Sequence, residues 1–158
     1  MFYHDQPEKA KVLYKRFVNA AAIIGRLNSP SSKLPQIHPR TSEEIFCRAF
    51  SADSLARKDI SIDAYKPDDG FGIKTFQGGK QQKIAEFNDS HKYVFPNDSF
   101  DIAHTVSKYR NARLNESIQS YELRRMIYHY LYRTKDQQIQ IFEQEMSLVN
   151  LNDIELKP

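Results

Sequence analysis

Apolar residues recur at three- and four-residue steps near the start of the chain, the spacing of one face of an amphipathic helix. This stripe consists of Leu13, Phe17, Ala20, Ile24 and Leu27. The pattern predicts a helix from near Pro7 to about Asn28, because proline is favoured in a first turn and Ser-Pro follows. A loop rich in proline and serine occupies residues 29–39, and Thr41-Ser-Glu-Glu44 is a capping box that predicts a second helix to about Phe50.

The hydrophobic period changes to two after residue 59, which is typical of strands. Ile60, Ile62 and Ala64 alternate with polar positions, so we expect a strand that carries Asp63 on its polar face. Lys66-Pro-Asp-Asp-Gly70 is a strong turn signal, and a second alternating segment covers residues 71–76. The sequence therefore predicts a β-hairpin in the middle of the chain.

Helices and strands are also predicted for the rest of the chain. Residues 80–88 indicate a short helix, and Asn97 or Asp98 caps a longer one that runs towards Ser120. Residues 126–133 and 138–145 are strand-like and flank a turn. The order α-α-β-β-α-α-β-β predicts an α/β (α+β) domain with a small central mixed sheet flanked by helices. We expect one domain over residues 1–158, with a helical part at 1–50 and a core at 51–150.

Composition narrows the class of protein only slightly. Hydrophobic residues make up 40% and charged residues 27% of the 158 positions, which is ordinary for a globular domain. A net charge of +3 permits a polyanionic partner without requiring one. The single cysteine, Cys47, excludes a disulfide framework and a multi-cysteine zinc site. No signal peptide or long apolar run is present, so we expect a cytoplasmic protein without a membrane span.

Asp63 and Lys74 lie on the two consecutive strands and could therefore reach the same end of the sheet. Glu86 follows on the predicted short helix. Two carboxylates can hold a divalent metal, and a lysine beside them can orient water and stabilise charge on a phosphate. The alternative is a cross-strand salt bridge worth well under about 1 kcal/mol if exposed. Lys74 favours the functional interpretation, because an ammonium within an otherwise apolar strand is costly.

The arrangement of Asp63 and Gly72-Ile-Lys74 resembles the PD-(D/E)xK nuclease superfamily, in which an aspartate precedes an acid-x-lysine tripeptide on the next strand. The segments Gly-Ile-Lys-Thr-Phe and Lys-Ile-Ala-Glu-Phe-Asn are similar to the nuclease part of some type II restriction endonucleases. The sequence departs from the pattern at Gly72, which occupies the acid position. In a permuted branch of the superfamily the following helix supplies that acid, and Glu86 has the matching spacing. Glu44 competes for this role, since family members also take a ligand from the helix before the sheet, unless it serves only the capping box.

The resemblance covers roughly residues 40–90 by motif and extends to about 145 by order of elements. It implies Mg²⁺-dependent cleavage of double-stranded DNA and often a homodimer, with Asp63 and Glu86 as metal ligands. Because the chain is short for a self-sufficient restriction enzyme, we expect a nuclease domain of a longer protein. Two other hypotheses stay open: a non-catalytic DNA-binding or recognition domain of a restriction enzyme, and an assembly domain.

Basic and polar side chains near the predicted core could contact DNA. The candidates are Gln82, Lys83, Lys108, Arg110 and Arg113. For the last three, a solvated helix face is the explanation that the sequence favours. Tyr128, Tyr130 and Tyr132 alternate along one strand and could stack on bases, or pack the sheet against a helix.

Overall fold

A computed structural model describes residues 1–28, 36–55, 60–77, 98–134, 136 and 138–155 of the chain. Three α-helices lie within these described residues, α1 (Glu8–Asn28), α2 (Pro39–Phe50) and α3 (Ser99–Tyr121). Five strands follow the order β1 (Asp53–Ser54), β2 (Ala64–Lys66), β3 (Asp69–Gln77), β4 (Arg125–Arg133) and β5 (Ile139–Glu145), and a short 3₁₀ helix covers Leu151–Asp153. The predicted helix over residues 80–88, with Gln82, Lys83 and Glu86, lies outside the described residues.

The five strands form one mixed sheet whose spatial order follows the chain from β1 to β5. Neighbouring strands are antiparallel except β3 and β4, which pair in parallel from Asp69↔Arg125 to Gln77↔Arg133. A parallel pair needs a long crossover connection, and α3 belongs to the segment that provides it. The predicted mixed sheet between helices is confirmed.

The predicted hairpin consists of β2 and β3, with Lys66 opposite Asp69 across a two-residue turn. Asp68 in that turn has φ 71°, a left-handed conformation that aspartate tolerates better than most residues. β2 is shorter than predicted, and Asp63 immediately precedes it. The Asp63 backbone is nevertheless fixed on both sides, because its N–H donates to Phe71 O (2.7 Å) and its carbonyl accepts from Leu55 N–H (2.9 Å).

Two apolar clusters hold helices against opposite faces of the sheet. Phe46 of α2 and Tyr14 of α1 pack with Phe71 in the larger cluster, and all three are fully buried. The smaller cluster joins Leu114 of α3 to Met126 and its neighbours on the other face. Within the described part of the chain, none of the helices is both long and apolar enough to span a membrane.

The predicted apolar stripe of α1 is not the face that packs on the sheet. The buried positions are Tyr14, Val18 and Ala22, whereas Ile24 and Leu27 are 58% and 76% exposed. Tyr14 is on the buried face because its hydroxyl finds a partner within the core. Periodicity thus predicted the helix correctly and its orientation incorrectly.

The second helix begins earlier than its predicted capping box. Pro39 is in its first turn, His38 is the N-cap residue, and no side chain caps the helix. Proline suits the first helical position because it lacks the N–H that would be unpaired there. Glu44 therefore lies within α2 and is not part of a capping box.

Candidate functional site

Asp63 and Lys74 are in direct contact across the hairpin. Lys74 Nζ donates to Asp63 Oδ2 at 3.1 Å, and the backbone N–H of Ile73 donates to the same oxygen at 2.7 Å. The side chains of Asp63 and Lys74 are 22% and 30% exposed. Both bonds end on Oδ2, so the carboxylate is oriented by the strand itself and neither bond occupies Oδ1.

A second carboxylate, that of Glu43 in helix α2, interacts electrostatically with this pair. The pKa of Glu43 is raised by burial and then by the negative charge of Asp63, while Lys74 and Arg40 partly offset the rise. The two acids therefore interact electrostatically beside one ammonium group. These three charged side chains form the candidate centre; they lie on α2, immediately before β2, and on β3.

Of the two neighbouring glutamates, Glu43 interacts electrostatically with Asp63 and Lys74, whereas Glu44 contacts β1. Glu44 is exposed and accepts a hydrogen bond from Ser54 Oγ of β1 at 3.4 Å. Sequence reasoning did not identify Glu43, although a signal existed. Phe46 and Phe50, both buried, lie three and seven residues after Glu43, so this glutamate shares the inward stripe of α2.

Gly72 lies two residues before Lys74, on the same face of β3, and its position is closely packed. A Cβ atom there would lie 2.4 Å from Met146 Cε and 3.1 Å from Tyr128 Cδ1. An acidic side chain at residue 72 would therefore require Met146 to move. The position of the tripeptide acid is filled by hydrophobic packing from β4 and the segment after β5.

Asp63 and Glu43 are the carboxylates that could hold a metal at this centre. Among the residues that the structure describes, no three or more His, Cys, Asp or Glu side chains form a group that could hold a metal ion. Mg²⁺ commonly takes only one or two protein carboxylates, and substrate phosphate and water complete its shell. Two oxygen donors beside a lysine fit that requirement, and Glu86 lies outside the described residues.

The predicted DNA-binding residues of α3 have different environments. Arg110 donates from Nη1 to Ser147 O at 2.8 Å, and Asn111 makes two hydrogen bonds with the backbone of Val149. These bonds tie α3 to the segment after β5. Lys108 is exposed and Arg113 is half-buried. Arg110 therefore has a structural role whether or not it also contacts a phosphate.

A hydrogen-bond network is buried on the opposite side of the sheet from Lys74. His129 Nε2 lies 2.8 Å from Tyr14 Oη, and His129 Nδ1 lies 3.0 Å from Glu143 Oε1. Burial raises the pKa of Tyr14 well above its usual value, so its hydroxyl stays protonated and can donate. The backbone N–H of Tyr3 donates to Glu143 Oε2 at 3.0 Å. This network joins the chain start and α1 to β4 and β5, and we assign it to the core.

Comparisons of the chain with protein-family models, with curated proteins and with solved structures found no match.

Proposed function

We propose that the chain is a metal-dependent endodeoxyribonuclease of the restriction type, or the nuclease domain of one, acting on double-stranded DNA. The observation that carries the proposal is the contact between Asp63 and Lys74, together with the electrostatic interaction of both with the carboxylate of Glu43. Phosphodiester hydrolysis needs oxygen ligands for a metal and positive charge near the reacting phosphate. Asp63 and Glu43 would provide the oxygen ligands, and Lys74 would provide the positive charge.

Asp63 and Glu43 would hold Mg²⁺, with Glu43 in the role for which the sequence suggested Glu86 and, as the competing residue, Glu44. When bound, the ion supplies Lewis acidity and lowers the pKa of a coordinated water. Asp63 contributes Oδ1, since the bonds from Ile73 and Lys74 both end on Oδ2. Lys74 remains within reach of a phosphate oxygen or the attacking water while it holds Asp63 in place.

Electrostatics support a cation at this centre. Glu43 is disfavoured as a carboxylate by its burial and by Asp63, and the charges of Lys74 and Arg40 do not fully compensate. A divalent ion between the two acids would reverse that balance by attracting both. Metal binding and ionisation of Glu43 should therefore favour each other.

The second candidate function is DNA binding without cleavage, in a recognition domain or an inactive nuclease fold. The packing around Gly72 favours it, because Met146 and Tyr128 fill the space where the tripeptide acid would begin. A site whose described carboxylates are those of Asp63 and Glu43 could bind phosphates through Lys74 without hydrolysing them. Cleavage with metal separates the two functions.

The test is cleavage of plasmid and genomic DNA with Mg²⁺ or Mn²⁺ by the wild type, Asp63→Ala and Lys74→Ala. The matched control is Asp69→Ala, because Asp69 lies on the same hairpin and forms a bidentate ion pair with Arg125 of β4 (2.8 Å for each bond). We expect discrete fragments from the wild type and the control, and none from the other two variants. Binding without cleavage by every form would support the second function, and equal loss in the control would point to a damaged fold.

A homodimer would place two such centres on the two strands of a duplex, and we propose this assembly for the active enzyme. Light scattering coupled to gel filtration, with and without DNA, measures the oligomeric state. A monomer that still makes double-strand breaks at a rate linear in enzyme concentration would exclude an obligate dimer.

A further inference from the structure

An aromatic surface adjoins the Asp63–Lys74 contact on the same face of the sheet. Tyr130 pairs with Lys74 in the parallel β3–β4 ladder, and Phe142 pairs with Tyr130 in the antiparallel β4–β5 ladder. The rings of Tyr130 and Phe142 are stacked, with centroids 4.6 Å apart and an interplanar angle of 25°. A row of side chains thus crosses the sheet from an ammonium group to two stacked rings.

Further rings extend this row into a platform. Phe76 lies 5.2 Å from Tyr130, Tyr128 lies 5.7 Å from Tyr130, and Tyr132 lies 6.3 Å from Phe142, all between ring centroids. Tyr130 is buried among its neighbours, whereas Phe142 is 46% exposed on β5 at the end of the sheet. Phe142 is thus a large apolar side chain that stacks on a buried ring and leaves nearly half of its surface exposed.

Positive charge borders this platform. Lys74 stands beside Tyr130 in the ladder, and Arg110 of α3 is close enough that its charge lowers the pKa of Tyr130, against a larger rise from burial. Aromatic faces flanked by cationic side chains are the surface that single-stranded nucleic acids bind, since bases stack and phosphates pair with the cations. An apolar protein partner would not require the cations.

We propose that this platform binds an unpaired DNA base next to the phosphate held at Lys74, with Phe142 as the stacking residue. The inference rests on the proposed nuclease function and adds to it a substrate class: DNA that is single-stranded or locally melted beside the cleavage point. Two inter-strand spacings separate β3 from β5, on the order of 10 Å. That distance is comparable with the reach from one phosphate to the base of a neighbouring nucleotide.

The absence of tryptophan from the sequence permits a direct test. Phe142→Trp places a single fluorescent reporter on the platform, and Phe100→Trp places one at the start of α3, where Phe100 is 40% exposed. Each variant is titrated with oligothymidylate and with a blunt duplex in EDTA, so that no cleavage occurs. We expect oligothymidylate to quench the fluorescence of the Phe142→Trp variant strongly, and that of the Phe100→Trp variant little.

Affinity measured by anisotropy of labelled oligonucleotides gives an independent readout. Phe142→Ala should weaken binding of oligothymidylate roughly tenfold, the scale of losing one stacked base, and leave duplex binding nearly unchanged. Phe100→Ala should change neither, and far-UV circular dichroism checks that both variants are folded. Unchanged oligothymidylate affinity in Phe142→Ala would overturn the proposal. So would fluorescence that changes with protein concentration alone, which would indicate contact between copies of the chain.

The two proposals can fail separately. Quenching at Phe142→Trp together with no cleavage by the wild type would remove the nuclease function and keep a single-strand binding surface. Cleavage by the wild type with neither quenching nor loss of affinity would keep the nuclease and remove the stacking platform.

Discussion

Replacement of Asp63 separates its part in folding from its part in the proposed chemistry. Asp63 Oδ2 accepts from Ile73 N–H at 2.7 Å and from Lys74 Nζ at 3.1 Å. A hydrogen bond to a charged group contributes about 1.5–3 kcal/mol. Because Asp63 and Lys74 are 22% and 30% exposed, water partly replaces the lost contacts. Asp63→Ala should therefore lower the free energy of unfolding by about 2 kcal/mol, less than the roughly 3 kcal/mol that the lower end of that range would give for the two bonds together.

Asp63→Asn provides the matched comparison. The amide oxygen can still accept from Ile73 N–H, so the loss should be about 1 kcal/mol and come mainly from the missing charge opposite Lys74. The same variant removes a negative oxygen ligand, so DNA cleavage with Mg²⁺ should fall about 100-fold or more, the scale of losing one electrostatic contact in a transition state. Asp63→Asn should thus reduce the rate of DNA cleavage strongly while it lowers the free energy of unfolding only slightly.

Urea unfolding followed by far-UV circular dichroism measures the first quantity, since the chain lacks tryptophan. Initial rates of plasmid cleavage at saturating Mg²⁺ measure the second. Full cleavage by Asp63→Asn would refute the ligand role of Asp63. Wild-type stability of Asp63→Ala would refute the structural argument, because the two contacts to Oδ2 would then contribute nothing to folding.

Three further predictions follow from other contacts. Burial raises the pKa of Glu43 in the folded state above its ordinary value of 4.5, so ionisation of Glu43 lowers the free energy of unfolding as pH rises. Glu43→Gln should therefore be more stable than the wild type at pH 7. This difference in stability should vanish at low pH, where Glu43 is protonated in both states. Urea titrations at several pH values measure this, and a pH-independent difference would contradict it. Gly72→Ala places a Cβ against Met146 and should lower the free energy of unfolding by about 1 kcal/mol or more. The double variant Gly72→Ala/Met146→Ala should lose less stability than the sum of the losses in the two single variants. Additive losses in a double-mutant cycle would show that the two positions do not interact. Tyr14→Phe removes the hydroxyl partner of His129 and should lower the free energy of unfolding by about 1–2 kcal/mol, while DNA cleavage stays intact. Loss of cleavage in a stable variant would instead connect the buried network to the site.

Local patterns determined the elements that depend on neighbouring residues. The alternation on either side of Lys66-Pro-Asp-Asp-Gly70 predicted the hairpin, and Asp98 caps α3 by accepting from the N–H groups of Phe100 and Asp101. The same hairpin made contact between Asp63 and Lys74 predictable, since adjacent antiparallel strands leave few alternatives. These are short-range interactions, and hydrogen-bonding and steric preferences within a few residues decide them.

Only the tertiary structure decided the contacts between residues far apart in sequence. The stripe beginning at Leu13 and the face carrying Tyr14 are both apolar enough to pack, and a hydrogen bond to His129, 115 residues away, accompanies the buried face. The electrostatic interaction of Glu43 with Asp63 depends on α2 beginning at Pro39 and packing through Phe46, which sets the rotation of the helix. The parallel register of β3 and β4 places Tyr130 beside Lys74. Each of these depends on how separate elements bury their surfaces together, and a one-dimensional pattern does not contain that information.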